Sequence, residues 1–228
     1  MNNIQVRSAD FYQAIVRIHP AAEHHAETPA FGYLQITAVE AEMTVIAGNS
    51  EVIYSDSIPM LSSIQEPTRV ILPLQVVEDL QQIGAEHSTT TLTLSTEMRQ
   101  DRRVAVISTG TGELVYPYPS VKVPNYAVVM TSRINMAQER KTVSNREQVD
   151  PDALAKLCAI SSISHPRHGA AFDIYHLGSN GETLVHLKGT NFWAKQSNHR
   201  TPAKEPADQA QDMQTALDRF AAIAALTH

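Results

Sequence analysis

The chain has 228 residues, of which 43% are hydrophobic and 18% charged, with a formal charge of -6. That is enough apolar material for one large core or two ordinary ones, and the acidic balance excludes a molecule that is basic throughout while allowing a local basic surface. Cys158 is the single cysteine, which excludes an intrachain disulfide and a thiolate-rich zinc cage.

The opening Met1-Asn2-Asn3-Ile4-Gln5 has no basic region followed by an apolar stretch, so no signal peptide is expected. The apolar runs fall short of the ~18 residues of a membrane span. A lone thiol suits a reducing cytoplasm.

Ser8 to His19 places Phe11, Ile15 and Ile18 at helical spacing, with Ser8 as N-cap and Pro20 as terminator. After a polar stretch from Ala21 to Pro29, strands are expected at Phe31–Val39, Met43–Ala47 and Glu51–Tyr54, with Gly48-Asn49 as a turn. Ser55 to Thr68 reads as a connection. Arg69–Pro73 is a short strand leading into a second helix, whose stripe is Leu74, Val77, Leu80 and Ile83 and whose stop is Gly84. Three strands follow at Thr91–Thr96, Arg103–Ser108 and Glu113–Tyr116.

Tyr116 to Asn125, with Pro117, Pro119 and Pro124, reads as a linker. A strand-like stretch at Lys141–Gln148 leads to Asp150-Pro151-Asp152, a helix start with a capping acid and proline at the first helical position. Leu154, Leu157, Cys158 and Ile160 form its apolar face. Strands are expected at Ala171–Leu177, Thr183–Lys188 and Asn191–Lys195. A polar segment and a helix, Gln209–Leu226, close the chain, with Met213, Leu217, Phe220, Ile223 and Leu226 at helical spacing.

One pattern therefore recurs, beginning near Ser8, Leu74 and Pro151: an amphipathic helix followed by three antiparallel strands. Two such units side by side bury both helices on shared sheet faces, which gives an α+β fold of repeated helix plus three-stranded meander. The expected division is residues 1–118 as a complete domain, 119–200 as a shortened second domain, and 201–228 as a polar linker with an amphipathic helix.

Four segments carry a resemblance to a known family. They are Ile4-Gln5-Val6 with Phe11-Tyr12-Gln13-Ala14-Ile15; Thr44-Val45-Ile46-Ala47-Gly48-Asn49; Arg69 to Leu80 (RVILPLQVVEDL); and Pro124 to Met130 (PNYAVVM), followed by Val149 to Leu154 (VDPDAL). Together they resemble the DNA sliding clamps, the β subunit of bacterial DNA polymerase III and its phage relatives. The resemblance implies a non-enzymatic replication processivity factor, encoded by a phage, prophage or plasmid module. It implies double-stranded DNA, held non-specifically and topologically, and a DNA polymerase or clamp loader as partners. It implies no cofactor. A ring of six domains closes from three chains of two domains, so a homotrimer is favoured.

In clamps the helices present bases to DNA, which points here to Arg7, Arg17 and Lys156. The second expected helix departs from that pattern, offering Glu78 and Asp79 and no base. The alternative is a clamp-fold adaptor or inhibitor that binds a host replication protein without encircling DNA. Gln214, Leu217 and Phe220 fit the Gln-x-x-Leu-x-x-Phe spacing of clamp-binding peptides, although any amphipathic helix presents such a stripe.

No catalytic residues are expected: Gly-x-Ser-x-Gly and phosphate-loop motifs do not occur, and the carboxylates are scattered. The histidine groupings, His19 with His24 and His25, and His165 with His168, read as solvated loops rather than metal ligands. Phe192 and Trp193 read as an aromatic pair at the edge of the core. Arg99, Arg102 and Arg103 form the densest basic spot and Lys195, His199 and Arg200 a second, both read as solvated rims.

Overall fold

The structure is a computed structural model that describes residues 3–23, 28–49, 51–85, 88–139, 172–176, 182–187, 189–197 and 209–225. Several expectations lie outside the described residues: the strand-like stretch 141–148, the helix beginning at Asp150 with Lys156 and Cys158, and His24, His25, His165, His168, His199 and Arg200. The chain forms two compact units, Met1–Asn49 with Ser55–Pro124, and Ser50–Tyr54 with Asn125–His228.

The first unit is built from two similar halves. One is β1 (Ile4–Arg7), α1 (Ser8–Ile18), a short α2 (Pro20–Glu23), β2 (Tyr33–Val39), β3 (Glu42–Gly48) and the part of β4 (Val52–Pro59) from Ser55 on. The other is β5 (Thr68–Pro73), α3 (Val76–Gln82), β6 (Thr91–Arg99), β7 (Arg102–Ser108) and β8 (Glu113–Pro117). Their strands make two antiparallel sheets, ordered β1-β6-β7-β8 and β5-β2-β3-β4. The opening strand of each half pairs with the meander of the other. Ile4 stands opposite Leu94 and Val6 opposite Leu92, while Val70 stands opposite Ile36 and Leu72 opposite Leu34. Neither half completes its own sheet, so the two are bound to fold together.

Period-two alternation puts Ile4, Val6, Leu34, Ile36, Val45, Val70, Leu72, Leu92, Leu94, Ala105 and Ile107 in the core. Phe11, Ala14, Ile15 and Ile18 occupy one stripe of α1 and are fully buried, and the helix packs on α3, β1 and β3. Each large apolar side chain so buried is worth about 1.5–3 kcal/mol.

Four local expectations are corrected. Ser8 does not cap α1. Arg7 holds the extended cap position, and Ser8 is the first helical residue, its N–H donating to Thr90 O (2.9 Å) and its hydroxyl to Ala85 O (3.3 Å). The reason is that β1 runs straight into α1, so the β1–β6 side supplies the partner. Pro20 ends α1 but also opens α2, the helical position where its missing N–H costs nothing. β4 continues to Pro59 where a connection was expected from Ser55, because Ser55, Asp56 and Ser57 are polar yet buried and bonded, with Thr44 Oγ1 2.7 Å from Ser57 Oγ. The stripe of α3 is Val76 and Leu80, not Leu74, Val77, Leu80 and Ile83: the helix begins only at Val76, and Ile83 is exposed. Gly84 closes it in the left-handed region (φ 70°). The β6–β7 hairpin turns on Gln100 and Asp101, both at positive φ (49° and 60°), which the sheet's right-handed twist favours.

The second unit holds α4 (Tyr126–Glu139), β9 (Phe172–His176), β10 (Glu182–Leu187), β11 (Trp193–Ser197) and α5 (Gln209–Ala225). Its strands run in the order β4-β11-β10-β9, β4 contributing the residues up to Tyr54. α4 begins directly after the linker expected over Tyr116–Asn125, where no helix was expected. Asn125 Oδ1 accepts the Val128 N–H at 3.3 Å and starts the helix immediately after the last proline. Of its buried residues, Tyr126, Met130 and Ile134 recur every fourth position and Ala127 adjoins the first. α5 packs on α4 through a face that buries Ala216, Leu217, Phe220 and Ile223.

Phe192 and Trp193 lie in the core of this unit rather than at its edge, both fully buried. Trp193 stacks on His186 (centroids 4.4 Å apart) and Tyr175 (6.1 Å), and Tyr54 meets Phe192 edge-on at 5.7 Å. Lys195 is no solvated rim either. It is buried, donates to Glu51 O at 3.1 Å and lies 3.5 Å from Glu182, and burial above all pushes its ammonium below the ordinary lysine range.

Candidate nucleic-acid and partner surfaces

Arg7 is exposed at the junction of β1 and α1. Arg17 lies in the last turn of α1, and its Nε donates to Asp56 Oδ2 at 2.7 Å. Asp56 is buried on β4, and its Oδ1 also accepts the Ser57 N–H at 2.9 Å. With only 14% of its side chain exposed, Arg17 is committed to that carboxylate. Lys156 lies outside the described residues. Of the two described residues, Arg7 precedes the first turn of α1 and Arg17 lies in its last, so they sit at opposite ends of the helix.

α3 adds negative charge. Glu78 and Asp79 sit in its first turn, where the helix dipole favours them, and Gln75 Nε2 reaches both (3.0 and 3.3 Å). Asp79 Oδ2 accepts the Tyr116 hydroxyl at 2.7 Å. Burial, and then the adjoining carboxylate, push that phenol far above the ordinary tyrosine value. Tyr116→Phe is expected to lower the unfolding free energy by about 1.5–2 kcal/mol in urea denaturation, since it deletes a hydrogen bond to a charged acceptor. A loss under about 0.5 kcal/mol would show the bond to be dispensable.

The three residues of the peptide-like spacing on α5 are placed differently from one another. Gln214 is exposed and donates to Asp218 Oδ1 at 2.8 Å, one turn along the same helix. Leu217 and Phe220 are buried in their own unit, on the helix that packs against α4. The spacing is that of a packing stripe as well as that of a docking peptide, and sequence alone does not separate the two.

The basic spot at the β6–β7 turn divides. Arg99 is held by Glu97 Oε2 (2.9 Å) and Glu113 Oε2 (2.8 Å). Arg102 and Arg103 are neighbours on a strand and so point to opposite faces. Arg133 of α4, not singled out from sequence because its helix was not, donates to Glu182 Oε1 at 3.0 Å. Among the described residues no group of three or more His, Cys, Asp or Glu could hold a metal ion, and no helix is long and apolar enough to cross a membrane.

Comparison with known proteins separates sequence from fold. No protein-family model matches the chain, and no curated protein matches it by sequence. Solved structures do match. The DNA polymerase III subunit beta from Pseudomonas aeruginosa superposes with a TM-score of 0.63 at 10% identity, over 88% of this chain and 66% of that one. The DNA polymerase sliding clamp from Caulobacter crescentus gives 0.58 at 10% identity, over 92% and 68%. A sliding clamp (DNA polymerase III subunit beta) from Bartonella birtlesii, bound to griselimycin, gives 0.57 at 11% identity, over 92% and 67%.

The chain has the α+β fold of the DNA sliding clamps. Its structural relationship is to the β subunits of DNA polymerase III, and it spans about two thirds of the length of those it matches.

Proposed function

We propose that the chain works as a sliding-clamp-like processivity factor in DNA replication, without an enzymatic activity of its own. Copies of the chain form a ring on double-stranded DNA and hold a DNA polymerase or clamp loader there by topology. The observation that carries this reading is the first unit's pair of interlocked strand–helix–three-strand halves, superposable on sliding clamps over most of the chain. Two compact units per chain favour a trimer, since three such chains supply a six-domain ring. Arg7, Arg17 and Lys156 are the residues proposed to face DNA. The setting proposed is the cytoplasm and a phage, prophage or plasmid replication module.

A second reading, an adaptor or inhibitor that occupies a host replication protein, is favoured by the charge on the helices. Arg17 is engaged by Asp56, and α3 carries acids but no base. Each phosphate contact contributes only about -0.9 to the salt slope of binding, so a duplex grip needs several such contacts. Docking through Gln214, Leu217 and Phe220 would require α5 to leave α4.

Retention on DNA separates the readings. Protein loaded with its clamp loader onto a nicked circle is expected to stay on after a high-salt wash and to run off once the circle is linearised. Equal, salt-labile loss from both forms, with a monomer or dimer mass in solution, would reject encirclement and leave the adaptor.

A further inference from the structure

In the first unit β5 lies against β6 and β7. Thr96 Oγ1 donates to Arg69 O at 3.4 Å, and Thr96 stands opposite Ala105, on the same face of β7 as Arg103. Arg69 is half-buried and donates from Nη2 to Gln35 Oε1 at 3.1 Å. Arg103 is exposed, with its guanidinium carbon 4.1 Å from the centroid of the Tyr118 ring, and the Tyr118 N–H donates to Arg103 O at 3.0 Å. Met98, the register partner of Arg103, is 63% exposed.

Arg69, Arg103 and Tyr118 lie close enough to interact electrostatically, and among the described residues neither arginine has a counter-charge. Arg17, Arg99 and Arg133 each hold a carboxylate, whereas among the described residues neither Arg69 nor Arg103 forms an ion pair. Burial, the largest cause, lowers the Arg69 guanidinium below the ordinary arginine value; Arg103 adds to the lowering and Tyr118 opposes it. Arg69, partly withdrawn from water with a second cation near it and no counter-ion, carries a standing cost that a bound oxyanion would relieve. Tyr118 covers one face of the Arg103 guanidinium and leaves its N–H edge open, the geometry a carboxylate accepts in bidentate fashion.

We propose that Arg69, Arg103 and Tyr118 form an oxyanion site that takes the carboxylate of an acidic peptide segment, with Met98 receiving an apolar side chain beside it. A peptide suits the site better than a nucleic acid. Two cations meet about two phosphates, too few to hold a polyanion against a chain of net charge -6. The exposed thioether gives a phosphate backbone nothing, but it gives an apolar residue next to a glutamate a contact surface. The site does not depend on whether the chain encircles DNA.

The test is fluorescence anisotropy on the full chain, with a fluorescein-labelled short peptide alternating glutamate and leucine as probe. Saturable binding is expected, weakened at least about tenfold by Arg103→Ala and by Arg69→Gln and lost when glutamine replaces glutamate in the peptide. Arg102→Ala, on the opposite face of β7, is expected to leave binding unchanged. Arg103 is exposed, so its variant keeps the fold, and an unaltered melting curve verifies this for each variant. Absence of saturable binding would overturn the proposal, as would binding indifferent to Arg103→Ala. A labelled oligothymidylate that binds in an Arg103-dependent way while the peptide does not would overturn it too, and assign the site to nucleic acid.

Discussion

Arg17→Met is expected to lower the unfolding free energy by about 3–5 kcal/mol, because it leaves the Asp56 carboxylate buried without its cation. The methionine keeps most of the apolar stem, so the loss reports the charge rather than the packing. Asp56 also accepts the Ser57 N–H, and a carboxamide at that position can still do so. The double variant Arg17→Met with Asp56→Asn is therefore expected to recover more than half of the loss. Urea denaturation of the two single variants and the double closes the cycle. A single-variant loss under about 1 kcal/mol would mean that the carboxylate does not depend on Arg17.

The same substitution weighs the two possible duties of Arg17. A residue devoted to phosphate would change the salt dependence of DNA binding by about 0.9 per contact and leave stability almost untouched. A residue devoted to Asp56 does the reverse.

Stability is expected to fall steeply above pH 10. Tyr54, Tyr116 and Tyr126 are buried, and burial is the main cause raising each phenol above its ordinary value of 10.0. In the unfolded chain these phenols ionise as the pH passes 10.0, while in the folded protein they keep their protons. The folded state then binds more protons than the unfolded one, so stability falls as pH rises. Three such groups together cost up to about 4 kcal/mol per pH unit.

Lys195 acts in the opposite sense. Its folded value lies below 10.5, so its contribution rises as the pH climbs from that value to 10.5 and then stops. One lysine offsets at most about a third of the tyrosine effect. Unfolding curves taken at successive pH values are expected to show stability falling, with phenolate absorbance from these rings appearing only as the fold is lost. Tyr54→Phe and Tyr126→Phe are each expected to flatten the dependence. Smooth ionisation of all 7 tyrosines near pH 10 in a protein that stays folded would contradict the burial argument.

The candidate surfaces were less legible in the sequence than the fold. Arg99, Arg102 and Arg103 read as one basic spot, yet two glutamates hold Arg99 and the strand's alternation parts the other two. Arg69 belongs beside Arg103 only because β5 packs on β6 and β7. Nothing local in the sequence marks that pairing. α4 was hidden by the three prolines before it and by a buried face of mixed residues, Tyr126, Met130 and Ile134, that makes a shallow helical pattern.

Local periodicity determined much of the architecture: helical spacing of Phe11, Ile15 and Ile18, alternation along β2, β3 and β6, and the stripe of α5 were all readable from neighbours a few residues apart. Tertiary structure alone decided that β1 pairs with β6 and β5 with β2, that Arg17 meets Asp56, and that Trp193 stacks with His186 and Tyr175. The physical reason is range. Backbone propensity and apolar patterning act within a turn or two of chain, whereas the counter-ion of a buried charge and the partner of an edge strand are set by which distant segments the core brings within a few ångströms.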